Sequence, residues 1–292
     1  MILAPLRGVT IRTFRETFAE PIAAAGFVEA ITPFIPAQPG LDPLSDDELR
    51  TTGATRASLA LTPQFIGKDP EALRRCLVRV KAAGFATADL NCGCPFPKVR
   101  NKGRGSGLLR TPDVLRRMLD VGCEVMGAGR FSVKARLGVD GCDELLGLMP
   151  LFNSYPLRFL AVHARTARQM YAGACDREAL ARVREASAVP IVENGDLDWR
   201  EGRDMVGRSF IRSLGARDDV GDLLRRYVDA SCRELCGDRP VLGRMKELVA
   251  YWKDLPRWRG LWHVVELCRT VDEFLSLVPT RGRRIAAVAV FW

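Results

Sequence analysis

The sequence lacks any run of about 18 apolar residues, the length that a membrane-spanning helix requires. It also lacks a basic leader and a cleavage site at its start, because residues 1–5 run directly into a strand-like segment. With 47% hydrophobic residues and a mean hydropathy of -0.02, the chain is able to bury a core. We therefore expect a globular cytoplasmic protein with one large domain and a small one, or with two ordinary domains.

Metal-binding patterns are missing as well. The nine cysteines include no C-x-x-C pair, and neither they nor the two histidines cluster at zinc spacing. Cys92 and Cys94 form a C-x-C, which is too tight for the usual zinc knuckle and has no second pair. We expect no metal, and we expect most of the cysteines to be small buried hydrophobic residues.

Positive charge, by contrast, is in excess and unevenly placed. The formal net charge is +9, and residues 95–110 carry five basic residues and no acidic one. Residues 239–259 carry six basic residues against two acidic ones, together with Tyr251, Trp252 and Trp258. Basic side chains neutralise phosphates and aromatic rings stack on unpaired bases, so these runs favour a polyanion with exposed bases. The alternative is a solvated helix face with its tryptophans in the core.

Strand-like apolar runs alternate with helix-like segments through the first 217 residues. Strands are predicted at 2–4, 28–32, 61–66, 87–91, 132–136, 159–163, 190–193 and 204–206. Helices are predicted at about 11–25, 70–83, 112–127, 142–153 and 177–186. Such alternation predicts parallel strands with crossover helices, and eight strands favour a (β/α)8 TIM barrel. An open doubly wound sheet is the alternative, which the lack of a G-x-G-x-x-G after a strand disfavours.

The strand-like runs stop after residue 217. Helices are predicted at 218–236, 241–254 and 260–277, separated by glycine and proline. We therefore expect a TIM-barrel domain over residues 1–217 and a C-terminal all-helical domain over residues 218–292. The apolar tail at 285–292 is expected to dock onto the body of the protein.

Polar residues or unusual backbone follow nearly every predicted strand. In a parallel barrel these strand ends meet on one rim, where reactive residues lie. A core alone does not explain the residues at these ends, which are Gln64, Asn91, Lys134, His163, Asn194 and Gly207-Arg208. A cation such as Lys134 among neutral donors suits an electron-rich ring that gains negative charge on reduction. The Gly195-Asp196 and Gly207-Arg208 segments match the phosphate site of such barrels.

Cys94 lies between Gly93 and Pro95, just past a predicted strand end. A thiol there can serve as a nucleophile, as an acid or in no chemical role. The basic run that follows predicts thiolate character and attraction of an anionic substrate.

These segments resemble the tRNA-dihydrouridine synthases, and they occur in that family's order. The matching segments are LAPLRGVT at 3–10, DLNCGCP at 89–95, GSGLL at 105–109, VKARLG at 133–138, VHART at 162–166 and ENGD at 193–196. Among them, the N-x-G-C-P, K-x-R-L-G and H-x-R-T signatures are the most specific. The segment Arg244-Met245-Lys246 also resembles part of the family's tRNA-contacting domain.

The resemblance implies FMN-dependent reduction of a uridine in tRNA to 5,6-dihydrouridine, with NADPH or NADH as the reductant. Hydride from the flavin would reach C6 of a flipped-out uracil, and Cys94 would deliver the proton to C5 as a general acid. The implied FMN contacts are Ala4, Pro5, Leu6, Gln64, Lys134, His163, Asn194, Gly195, Asp196, Gly207 and Arg208. The implied substrate contacts are Asn91, Lys98, Arg136, Arg165 and Lys246. We expect a monomer that binds tRNA.

The chain also departs from the family pattern. Arg7 stands where the family has an acidic residue, Leu6 replaces a methionine, and Ala164 replaces a glycine or proline. Only nine residues separate Asp196 from Val206, whereas a helix with two loops needs about 10–12. We therefore expect a shortened closing unit of the barrel. Two alternatives follow: a tRNA-binding paralogue with a weakened flavin site, or another FMN barrel oxidoreductase that acts on a small cyclic substrate.

Overall fold

Ten parallel strand segments form one sheet in the computed structural model, which describes residues 1–49 and 59–278. The segments are β1 Ile2–Leu3, β2 Glu29–Ile31, β3 Ile35–Pro36, β4 Ala60–Thr62, β5 Gln64–Ile66, β6 Ala88–Cys92, β7 Phe131–Gly138, β8 Leu160–Thr166, β9 Ile191–Asn194 and β10 Met205–Val206. Their order in the sheet is β3-β5-β6-β7-β8-β9-β10-β1-β2-β4.

The sheet closes on itself because a single stretch of chain supplies both of its ends. Only Pro63 separates β4 from β5, and β4 pairs with β2 while β5 pairs with β6. The carbonyl of Pro63 accepts the N–H of Asp89 at 2.9 Å, so the ladder continues past a residue that has no N–H of its own. With β4 and β5 as one strand and the short β3 set aside, eight parallel strands surround the axis, which confirms the predicted TIM barrel.

Nine helices accompany the strands through residue 214 of the described chain. They are α1 Arg12–Thr17, α2 Ala19–Ala24, α3 Pro70–Ala82, α4 Pro97–Arg100, α5 Pro112–Met126, α6 Glu144–Gly147, α7 Met149–Asn153, α8 Arg177–Glu185 and α9 Arg208–Leu214. Two predicted helices are each split in two, one into α1 and α2 and the other into α6 and α7. In both cases a proline, Pro21 or Pro150, stands in the first turn of the second helix, where its missing N–H would have broken a continuous helix.

Helix α3 illustrates how local sequence and packing agree. The Asp69 carboxylate accepts the N–H groups of Glu71 and Ala72 at 3.0 and 3.3 Å, and Pro70 occupies the first position of the helix. The buried residues recur at helical spacing along one face: Leu73, Cys76, Leu77 and Val80. This face joins the main core between the helices and the middle strands of the barrel.

The closing unit of the barrel is shortened, as its length predicts. Between β9 and β10 the chain forms only a 3₁₀ turn, Trp199–Glu201. The Asp198 carboxylate accepts the N–H of Arg200 at 3.0 Å, and Gly202 then turns the chain with a φ of 71°. The backbone therefore reaches β10 without a crossover helix.

Up to residue 278, where the described residues end, four helices follow the barrel: α10 Val220–Glu234, α11 Asp238–Val249, α12 Trp262–Leu267 and α13 Val271–Leu277. The second begins earlier than predicted because Pro240 lies in its first turn, where a proline is tolerated. The predicted third helix is divided into α12 and α13, and Thr270 begins α13 with a capping box that includes Glu273. The predicted tail at 285–292 lies outside the described residues.

One cluster of buried apolar side chains joins these four helices to the first and last helices of the barrel. Trp252 and Trp258 lie in it, with 0% and 1% of their surfaces exposed. Their indole N–H groups donate to the carbonyls of Ile211 and Gly215 at 2.7 and 2.9 Å. The two tryptophans are therefore core residues, and they are not available to stack on a nucleic acid base.

We expect the substitution Trp252→Phe to lower the free energy of unfolding by about 1–3 kcal/mol, because the buried carbonyl of Ile211 loses its donor. Urea denaturation of the full chain measures this change. Trp262→Phe is a matched control, since that ring is only partly buried, and it should cost less. Equal losses in the two variants would show that the indole hydrogen bond contributes little.

Candidate active site

A cavity of about 1400 Å³ opens where the carboxyl ends of the strands meet the helix α11 and the turn after it. The predicted site residues that line it are Ala4, Pro5, Leu6, Asn91, Cys94, Lys98, Lys134, Arg136, His163, Arg165, Asn194, Gly195, Asp196, Gly207 and Arg208. Residues on six different strand ends are thus brought to one space, as expected for a parallel barrel.

Two of the predicted site residues do not line the cavity. Gln64 is fully buried one layer beneath it, next to Asp89 and Asn91. The Lys246 ammonium donates to the carbonyls of Glu266 and Cys268, both at 2.8 Å. These carbonyls lie at the end of α12, where helix carbonyls lack partners within the helix. The Lys246 ammonium therefore caps the end of α12 and does not line the cavity.

Cys94 is held in a loop with little freedom. The Asn91 side-chain oxygen accepts the N–H groups of Gly93 and Cys94 at 3.1 and 2.8 Å. The Cys94 carbonyl accepts the hydroxyl of Ser106 at 2.9 Å. A Cβ at Gly105, where φ is +58°, would lie 2.8 Å from the Cβ of Cys94, so only glycine fits against Cys94.

The Cys94 thiol is protonated in its place on the cavity wall. The residue is only 6% exposed, and burial raises the pKa of its thiol. Arg7 and Arg136 act in the opposite direction on this pKa but do not outweigh burial. The thiolate character predicted from the basic run is therefore wrong, because desolvation of the loop counts for more than charges placed farther off. A protonated thiol is the form that an acid requires.

A chain of buried hydrogen bonds supports the Cys94 loop from below. The Asp89 carboxylate accepts the Gln64 amide at 2.8 Å and the Ser132 hydroxyl at 2.6 Å. The Gln64 oxygen in turn accepts the Asn91 amide at 2.9 Å. Burial raises the pKa of Asp89 to about 6 despite these donors. The orientation of Asn91, and through it the Cys94 backbone, is thus set by residues within the barrel.

Lys134 presents a cation to the cavity. Its ammonium donates to the side-chain oxygen of Asn194 at 2.8 Å, and the Asn194 amide donates to the carbonyl of Met205 at 2.9 Å. Burial, with Arg136 nearby, lowers the pKa of Lys134 to about 8. Within residues 1–49 and 59–278 no carboxylate forms an ion pair with it. This cation can therefore donate to a negatively charged group in the cavity.

His163 is neutral. Burial lowers its pKa, and four cations around it act in the same direction: Lys134, Arg136, Arg165 and Arg208. Its Nε2 atom lies 3.1 Å from the guanidinium of Arg165. Because a guanidinium can only donate, Nε2 accepts and the ring proton is on Nδ1.

Two arginines hold the chain after β8 against the cavity. Arg136 donates to the carbonyls of Gly93 and Met170 at 2.9 and 2.7 Å, so it joins this chain segment to the Cys94 loop. Arg165, in β8, donates to the carbonyl of Gly173 at 2.6 Å and pairs with the Asp196 carboxylate at 2.5 Å, which joins the same segment to the end of β9. Both guanidinium groups are thereby fixed in position while they line the cavity.

Two tyrosines at the cavity were not predicted as site residues. The Arg208 guanidinium lies 4.1 Å from the ring centroid of Tyr171 and 5.8 Å from that of Tyr251. Arg136 also lies over Tyr171, at 5.4 Å. Tyr251 carries a signal in the sequence, since it belongs to the basic and aromatic run at 239–259. Tyr171 carries none, because its contacts are made with residues distant along the chain.

Glycine backbone, without side chains, lines part of the cavity at Gly195 and Gly207. A Cβ at Gly195, where φ is +102°, would lie 2.4 Å from the His163 ring. One at Gly207 would lie 3.1 Å from the Cβ of Ala4. These two glycines leave main-chain groups open to whatever occupies the cavity.

Metal-ligating side chains do not cluster in the described part of the chain. No group of three or more histidine, cysteine, aspartate and glutamate residues there could hold a metal ion. Among the same residues, no helix is both long and apolar enough to span a bilayer.

Similar folds occur among solved structures. The old yellow enzyme homologue from Zymomonas mobilis aligns with a TM-score of 0.52 and 13% identity, over 73% of this chain and 85% of that one. Morphinone reductase in complex with tetrahydroNAD aligns with a TM-score of 0.50 and 13% identity, over 73% of this chain and 83% of that one. At these identities the likeness supports the barrel fold and nothing more.

Sequence relatives are more informative. The tRNA-dihydrouridine synthase B of Vibrio cholerae serotype O1 is 30% identical over 202 residues, which are 69% of this chain and 61% of that protein. The tRNA-dihydrouridine(16) synthase of Pseudomonas putida is 30% identical over 232 residues, which are 75% of this chain and 71% of that protein. The chain thus spans about 61% of the length of the Vibrio relative. The family model described as dihydrouridine synthase matches residues 2–208, and this chain therefore belongs to the dihydrouridine synthase family.

Proposed function

We propose that this chain reduces the C5–C6 double bond of a specific uridine in tRNA to 5,6-dihydrouridine, with FMN as cofactor and NADPH or NADH as reductant. The observation that carries the proposal is that a protonated, rigidly held Cys94 thiol and the Lys134 ammonium line the same cavity. Relatives named as tRNA-dihydrouridine synthases support the substrate. We further propose that the protein acts as a cytoplasmic monomer.

The residues around the cavity fit FMN. FMN has a ring that forms hydrogen bonds and a phosphate that is anionic. The cavity, of about 1400 Å³, is lined by cations, neutral donors and glycine backbone, which suit both groups. Ala4, Pro5 and Leu6 would contact the ring face, and Lys134 its edge. The residues that would hold the ribityl and phosphate groups are His163, Asn194, Gly195, Asp196, Gly207 and Arg208. When bound, FMN supplies the hydride.

The side chains then have distinct tasks. Lys134 stabilises negative charge at the ring edge, and its bond to Asn194 keeps the ammonium in place. Cys94 holds a proton at Sγ and gives it to C5 of the uracil. Asn91 and Arg136 position the Cys94 loop through Gly93, and they face the base from the same wall.

A uridine must leave its base stack to reach this cavity, because the reactive thiol lies within its wall. We propose that residues 1–217 form the catalytic domain and residues 218–292 the tRNA-binding domain. Their shared buried core means that deletion of the helical part would expose apolar surface on the barrel. Substitutions on the surface of the helical part are therefore a sharper test of tRNA binding than truncation.

We expect the purified protein to be yellow and to release about one FMN per chain on denaturation, because the cavity supplies both ring and phosphate contacts. Absorbance and chromatography of the released cofactor measure this. The chain should also restore dihydrouridine in tRNA when it is expressed in a strain that lacks the modification.

The two alternatives predict different outcomes. A colourless protein that takes up no added FMN would contradict the flavin site and favour a tRNA-binding paralogue. A yellow protein that leaves the dihydrouridine content of tRNA unchanged at every position would favour an oxidoreductase that acts on a small cyclic substrate.

A further inference from the structure

Phe96 is an exposed aromatic residue at the mouth of the cavity. It follows Cys94 by two residues, lines the same cavity, and has 45% of its surface exposed. Prolines precede and follow it, and its carbonyl accepts the N–H groups of Val99 and Arg100, both at 2.9 Å. The backbone that presents the ring is therefore rigid, and the loss of conformational freedom on binding would be small.

No other aromatic ring of residues 1–49 and 59–278 packs against Phe96, which lines the cavity and keeps 45% of its surface exposed. An aromatic ring stabilises the folded state when it is buried, and the exposed part of the Phe96 side chain makes no such contribution. Its position beside Cys94 indicates a role in contact with the substrate.

Three exposed cations stand at the mouth around Phe96. Arg7, Lys98 and Lys253 line it, and no carboxylate of residues 1–49 and 59–278 forms an ion pair with any of them. Four acidic residues line the same cavity. Asp196 and Asp198 pair with Arg165 and Arg200, and Asp254 lies 3.7 Å from Arg212. The Glu247 carboxylate packs against Gly8, within the electrostatic influence of Arg7. The exposed cations complement the phosphates of a nucleic acid strand.

We propose that Phe96 stacks on the base next to the uridine that enters the cavity, while Lys98 and Arg7 contact phosphates of the same strand. This inference rests on the proposed function, since it assigns the substrate's neighbouring nucleotide to a place on the protein. Removal of a uridine from its stack deprives the adjacent base of a partner, and an aromatic ring beside the entrance replaces it.

Stacking on Phe96 contributes affinity but does not distinguish one base from another. Every base has an aromatic face, so stacking on Phe96 tolerates any neighbour of the target uridine. The choice of uridine must then come from the way in which the rest of the tRNA is oriented. A protein partner is less suited to this mouth, because its exposed cations call for closely spaced phosphates.

The test uses the full-length protein, unmodified tRNA made by transcription, and four substitutions. Phe96→Leu should raise the Kd for this tRNA about 5- to 20-fold, because stacking on one base is lost. Phe96→Trp should restore tight binding. Val78→Ala is the control, since Val78 is also exposed, at 50%, but lies on α3 and does not line the cavity.

Titrations at several salt concentrations separate stacking from charge. Phe96→Leu should leave the slope of log Kd against log salt unchanged, whereas Lys98→Gln should reduce it by about one. A Kd for Phe96→Leu equal to that of the unaltered protein would overturn the proposal, as would equal weakening in Phe96→Trp. Binding does not require turnover, so a protein that makes no dihydrouridine would refute the proposed function while these titrations still decide the role of Phe96.

Discussion

Replacement of Cys94 by alanine should abolish dihydrouridine formation and leave flavin content and NADPH oxidation intact. General acid catalysis contributes about 10²- to 10⁴-fold, so we expect a loss of that size in the rate of uridine reduction. The substitution removes the proton donor, because Cys94 is the protonated thiol on the cavity wall. Alanine keeps the backbone groups that form the hydrogen bonds of the loop. Mass spectrometry of tRNA nucleosides measures the product.

Cys92→Ala is the matched control for this substitution. Cys92 belongs to the same C-x-C, but its side chain is buried in the barrel core and does not line the cavity. Its removal should lower stability modestly and leave the reduction of uridine in place. Full activity of Cys94→Ala would refute the acid role. The raised pKa of Cys94 adds a pH prediction: the acid form persists above the ordinary thiol pKa, so uridine reduction by protein whose flavin is already reduced should not slow until the pH exceeds about 8.5.

Replacement of Lys134 by methionine should slow reduction of the flavin about 100-fold. The ammonium is placed to stabilise negative charge that develops as the ring is reduced, and loss of one such donor typically costs about 10²- to 10³-fold. Methionine has similar length and no charge. Stopped-flow measurement of flavin bleaching by NADPH reports this step without any tRNA.

The pH dependence of the rate of flavin reduction tests whether Lys134 is the group that titrates. Lys134 has a pKa of about 8, so it is charged below that pH and neutral above it. A bound anion can only raise this pKa, and the rate of flavin reduction should therefore fall as the pH rises through 8 and beyond. Lys134→Met should lose this fall. Lys81→Met, a change on the outer helix α3, should keep it. A fall that persists in Lys134→Met would assign the titration to another group.

Much of the site was predictable because its chemistry is local in the sequence. Asn91 and Cys94 lie three residues apart, and that spacing is what allows the Asn91 oxygen to bind the Cys94 N–H. The alternation of strand-like and helix-like segments predicted the barrel, since it reflects which residues face its core. The shortened closing unit followed from a residue count alone, and the structure confirms it with a single 3₁₀ turn.

Three residues show what the sequence left to the fold. The thiolate predicted for Cys94 was inferred from charges nearby in the sequence, but the pKa depends on burial, which packing decides. Lys246 lies in a basic run and yet binds carbonyls at the end of α12. Trp252 lies in the same run and is buried against α9. In each case the residue type was suited to two environments, and only the fold selects between them.

By itself, the sequence determined the family, the order of the strands and the set of residue types that meet at the barrel's rim, because parallel strands bring their carboxyl ends together whatever lies between them. Only the tertiary structure decided which of these groups are charged, which are already engaged, and which are exposed. Arg208 packs between Tyr171 and Tyr251, and Phe96 stands open at the mouth. Such contacts join segments distant along the chain, and burial depends on all of them at once.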